Sequence, residues 1–201
     1  MKFRLFGIDF EITFLFTALI TFVIAMNSPF NVIITIISSL LHETGHLVMM
    51  CSLNNYPQCV RFEITGMNIK RQPSVKISTK NEIFIALAGP LANAMALFIS
   101  CIILCFFRSE NIFTIASVNL ILMTFNLLPV KRLDGGMALY FLLSKKFSSD
   151  ICGKVLKITS IIFIIILYIW GIYVFISTNY NISVLIIAIF LTLSLLDSNE
   201  Y

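Results

Sequence analysis

The segment best suited to chemistry is His42-Glu43-Thr44-Gly45-His46, which contains both histidines of the chain. On a helix, residues four apart share a face, so the two imidazoles can grip one metal ion. Glu43 lies one position along, within reach of a proton on a water at that ion. Gly45 leaves room for a neighbouring helix to approach closely. Chance produces two histidines at this spacing with the intervening glutamate in roughly three of ten thousand comparable sequences. The bland alternative is a polar cluster packed between helices. The flanks are apolar, however, and an ionisable side chain near a bilayer centre costs about 2.5–3.5 kcal/mol, so such residues usually serve function.

A catalytic zinc site takes three protein ligands and keeps one position for water. No third histidine exists, so the third donor is a carboxylate or a cysteine. In FNLLPVKRLDGGMALYFLL, Asp134 sits between Leu133 and the Gly135-Gly136 pair, which permits close backbone approach. Its alternative role is to cap the helix that begins near Gly136. Pro129 stops the preceding apolar run and shapes the turn. Cys51 lies five residues beyond His46 and off its face, and Cys105 lies near the far end of another run, so both compete less well with Asp134. Asn126 either donates a hydrogen bond to a developing oxyanion or holds a substrate strand, and its plain alternative is an interhelical hydrogen bond.

The elements that position these residues must lie in a membrane. Of 201 residues, 59% are hydrophobic and only 12% charged, with mean hydropathy +0.97. A soluble domain carries about a quarter charged residues, so this chain cannot cover a water-facing surface. Apolar runs at 12–26, 31–53, 81–107, 112–128, 155–176 and 182–196 predict about six transmembrane helices. The net charge of +4 does not imply nucleic acid, because the basic residues lie at membrane borders. With the N-terminus inside, only Arg108 falls outside, which predicts both termini in the cytoplasm. Asp134 then follows the inner end of its run, so its loop dips back toward the metal and the cavity opens to the cytoplasmic side. Residues 59–79 alternate around Gly66 and predict a β-hairpin plus a short strand, with which the alternating start FRLFGIDFEI can pair. Residues 137–147 predict a short amphipathic helix at the inner surface. The fold class is therefore an all-α membrane protein carrying a small membrane-associated β-hairpin or sheet. Five cysteines without CxxC spacing imply packing rather than a disulfide framework.

Three blocks in order, HETGH (42–46), AGPLAN (88–93) and NLLPVKRLDGG (126–136), make the chain resemble the site-2 proteases, intramembrane zinc metalloproteases. The resemblance implies that His42, His46 and Asp134 bind one zinc, that Glu43 is the general acid/base, and that Asn126 and Pro129 support the substrate near the scissile carbonyl. It is greatest with the sporulation branch of the family, stage IV enzymes that remove the pro-sequence of a sigma factor, through Asn119–Lys145 and the six-span plan. The expected organisation is one transmembrane protease domain over 1–201, with its core at 31–136 and C-terminal spans at 155–196. Neither a PDZ insert nor the CBS domain common in that branch is found in the sequence, so ATP sensing through a CBS domain is not expected. The expected partners are a membrane-associated protein substrate, membrane-bound regulators and the bilayer. Other substrates of the same class are an anti-sigma factor or a signal-peptide remnant. A metal transporter and an inactive scaffold are readings of a different kind. Polar residues concentrated at one depth argue against the first, and an intact Glu43 against the second.

Overall fold

The computed structural model describes residues 2–5, 8–12, 29–63, 66–71, 77–178 and 181–196. The predicted first span, 12–26, lies almost wholly outside them. The chain forms two compact units, Met1–Phe125 and Asn126–Tyr201.

Among its described residues, the first unit holds a four-stranded sheet and three helices. Strands β1 (Lys2–Leu5) and β2 (Ile8–Ile12) form an antiparallel pair, and β3 (Pro57–Glu63) and β4 (Gly66–Arg71) form another. β2 runs parallel to β3, with Phe10 opposite Val60, giving the order β1-β2-β3-β4. The predicted hairpin and its pairing with the N-terminal segment are thus both present, with β1 and β4 at the edges.

Helix α1 (Pro29–Ser52) opens on a proline, which fits the first turn because its missing N–H would have no helical partner there. It closes on a Schellman turn. Asn54 adopts a left-handed φ of 55°, its N–H bonds to the Cys51 carbonyl at 3.0 Å, and the Asn55 N–H reaches the Met50 carbonyl at 2.9 Å. Helix α2 (Thr79–Phe106) starts at Ser78, whose hydroxyl accepts from the Asn81 N–H at 3.3 Å, with Glu82 favourably placed in the first turn. Gly45 of α1 meets α2 directly: an added Cβ would lie 2.6 Å from the Ala88 carbonyl oxygen and 3.0 Å from Ala92 Cβ. Helix α3 (Glu110–Asn126) is tied to α1 by the buried Asn119 side chain, which donates to Ser38 Oγ at 3.1 Å.

The second unit begins with the turn 127–133, where Arg132 takes a left-handed φ of 74°. Helix α4 (Asp134–Leu143) follows, three residues earlier than predicted. Helix α5 (Ser149–Ser177) also starts earlier than its apolar run, because Ser148 and Asp150 make a good polar helix start that hydropathy does not register. Helix α6 (Ser183–Leu196) packs back on α5. Gly171 admits Leu185, and the Tyr168 and Thr192 hydroxyls meet at 3.2 Å.

Three helices are long and apolar enough to cross a membrane: Phe30–Ser52, Thr79–Phe106 and Ser149–Ser177. Their outward isoleucines and leucines are exposed, as lipid-facing surfaces require. The 17 residues of α3 and 14 of α6 fall short of the about 20 that span a bilayer upright. The described residues therefore give three candidate spans rather than the predicted six. All five cysteines are free thiols.

Candidate metal centre

Helical spacing brings His42 and His46 together on the buried face of α1, with their Nε2 atoms 3.3 Å apart and their rings edge to face. What each ring does at its other nitrogen decides how this contact is read. His46 Nδ1 lies 2.7 Å from the Ile85 carbonyl oxygen of α2. A carbonyl only accepts, so Nδ1 carries a proton, and in the neutral ring Nε2 then presents a lone pair. His42 Nδ1 lies 3.1 Å from Asn93 Oδ1, also an acceptor, with the same consequence. Two lone pairs therefore converge at 3.3 Å inside a buried site.

Such a pair repels unless a cation lies between the nitrogens. Two imidazoles on one tetrahedral zinc, at Zn–N of about 2.0–2.1 Å, have nitrogens about 3.3–3.4 Å apart. The observed spacing fits. Space for the ion comes from Gly89, where an added Cβ would press on His46 Nε2 and come within 2.7 Å of His42 Nε2. Pro90 follows it and cannot donate to the Ala86 carbonyl, which thins the α2 ladder beside the Ile85 carbonyl that accepts from His46 Nδ1. The residues present thus fit a zinc ion.

Glu43 is half-buried on α1, one position round from His42. The other expected residues belong to the second unit. Asn126 ends α3, and Pro129 lies half-buried in the turn. Asp134 is half-buried at the first position of α4. The helix cap there is Leu133, with extended backbone and no side-chain bond, so Asp134 is not the N-cap that its position before Gly136 suggested. Gly135 and Gly136 work as expected: a Cβ at either would strike the carbonyl of Leu127 or Val130, so the start of α4 rests directly on the turn.

Sequence reasoning found the histidines and left Asn93 of AGPLAN between helix packing and site support, without tying it to His42. Gly89 and Asn93 sit in the AGPLAN block, where a glycine beside a proline in an apolar run was the available signal. Ile85 acts through its backbone and leaves no signal at all.

No protein-family model matches the chain. It is similar to a zinc metalloprotease of Methanocaldococcus jannaschii, 28% identical over an alignment of 158 positions that covers 72% of this chain and 45% of that protein. The chain thus spans about half the length of this curated relative. Among solved structures it is similar to a site-2 protease from Methanocaldococcus jannaschii, with a TM-score of 0.72 and 24% identity, covering 100% of this chain and 95% of the other. The fold is that of a site-2 protease. The likeness runs through both compact units, so it takes in the short helices α3, α4 and α6 as well as the three long ones.

Proposed function

We propose that the chain is an intramembrane zinc endopeptidase, with about six spans and the site nearer the cytoplasmic side. The observation that carries this reading is the pair of converging His42 and His46 lone pairs with Glu43 at the next position. Asp134 supplies the third ligand. Two imidazoles and a carboxylate make a donor set suited to zinc with one position left over. The M. jannaschii relative named a zinc metalloprotease supports the same reading.

Bound zinc polarises a peptide carbonyl and lowers the pKa of water toward about 7. The Glu43 carboxylate accepts the proton that this water gives up as it attacks, and returns it to the leaving amine. Asn93 and the Ile85 carbonyl hold the two rings in the tautomer that leaves Nε2 unprotonated. Asn126 donates to the developing oxyanion or to the substrate strand, and Pro129 fixes the turn beside it. A helical substrate must unwind to expose its carbonyls, and an edge of the sheet, β1 or β4, can take the unwound segment as an added strand.

The substrate is a membrane-associated protein. A sporulation pro-sigma factor is one candidate, supported by the residues of Asn119–Lys145, and an anti-sigma factor or signal-peptide remnant is another. Co-expression of each candidate with wild type or Glu43→Gln tests the reading. Cleavage of at least one by wild type and of none by Glu43→Gln is expected. Equal cleavage by both overturns the assigned mechanism.

A further inference from the structure

The second unit contains a cavity of about 920 Å³ that the proteolytic reading does not use. Three lysines line it: Lys131 from the turn before α4, and Lys154 and Lys157 from the first turns of α5. Asp150 is the one carboxylate among its described lining residues, so these residues carry an excess of positive charge. Burial, then Arg132, then Lys157 hold the Lys131 ammonium below the ordinary lysine range, as expected where cations share a partly desolvated space. An oxygen anion shared among them relieves that repulsion. The volume lies within the about 300–1,000 Å³ typical of small-molecule sites.

The walls narrow the choice of anion. Ile161 of α5 and Leu196 of α6 line the cavity and are also exposed on the apolar exterior of these helices. The lining therefore runs from ammonium groups and the Tyr140 ring to a surface suited to hydrocarbon. A free phosphate would use only the first part, whereas a phospholipid uses both. Basic pockets between membrane helices recognise such headgroups.

We propose that this cavity binds the phosphate headgroup of an anionic phospholipid, with Lys131, Lys154 and Lys157 on the phosphate oxygens and the acyl chains leaving along Ile161 and Leu196. None of its described lining residues belongs to the metal centre. It is tested by titrating the full zinc-loaded chain in detergent with phosphatidylglycerol, phosphatidylcholine or inorganic phosphate, and reading bound ligand by native mass spectrometry. Phosphatidylglycerol should bind best. The pair Lys154→Gln/Lys157→Gln should weaken it about 30-fold, since each interfacial lysine contributes about a factor of five. Lys154→Arg/Lys157→Arg should retain it, and so should the control pair Lys145→Gln/Lys146→Gln, exposed lysines outside the cavity. Equal binding of phosphatidylcholine by wild type overturns the proposal without any variant. So does an equal loss in the control pair, which would mean diffuse surface attraction. Inorganic phosphate binding as tightly as the lipid would also overturn it, in favour of a soluble-phosphate site.

Discussion

At the residue scale, the two histidines are defined by their partners as much as by their spacing. An imidazole that donates from Nδ1 to an acceptor is committed to ligating through Nε2, and losing such a partner typically lowers metal affinity about 10–100-fold. Asn93→Leu removes the acceptor on His42 and should weaken zinc binding by that factor, measured by competition with a chromophoric chelator. Gly89→Ala is expected to be harsher. Its methyl would occupy the space between the Nε2 atoms, so zinc should be lost while circular dichroism shows the helices intact. Glu43→Gln keeps the shape but removes the base, and should lower turnover by about 10²–10⁴-fold while zinc stays bound. The HExxH spacing made His42, His46 and Glu43 legible in the sequence, because helical geometry is local. Asn93 lies 51 residues from His42, and only the packing of α1 on α2 reveals that they meet.

At the element scale, the turn 127–133 is held by contacts that small residues permit. The Lys131 N–H donates to Ser160 Oγ at 2.8 Å, while that hydroxyl donates to the Leu156 carbonyl, pinning the turn to α5. Ser160→Ala leaves the Lys131 N–H without this acceptor and should cost about 1–3 kcal/mol, seen as a lower thermal midpoint. Gly135→Ala drives a methyl into the Leu127 carbonyl and should cost about as much again through displacement of the turn. The existence of the described helices was legible, from apolar runs for all but α4 and from amphipathic patterning for α4, but the starts of α4 and α5 were not. Both open on polar residues, Asp134 and Ser149-Asp150, whose preference for helix starts is electrostatic and invisible to hydropathy. The alternation on either side of Gly7 and Gly66 foretold strands because its period of two belongs to no helix.

At the scale of the whole molecule, exposed apolar helices are the sign of a bilayer, and the proposed topology puts the bordering lysines on its cytoplasmic face. In a background free of native cysteines, Ser109→Cys should therefore react with an impermeant maleimide from outside intact cells, and Lys145→Cys only after lysis. The reverse pattern would invert the topology. Composition alone announced the membrane. The number of spans was less legible, because α3 and α6 are apolar yet short, and hydropathy cannot tell a short span in a locally thinned bilayer from a helix that stops partway. The central claim is that His42, His46 and Asp134 hold one zinc beside Glu43. Metal content of the purified, monodisperse chain tests it most directly. Wild type and Glu43→Gln should carry about one zinc each, and His46→Ala and Asp134→Ala close to none, as a three-ligand site requires. Full zinc occupancy in Asp134→Ala, or none in folded wild type, would contradict the account.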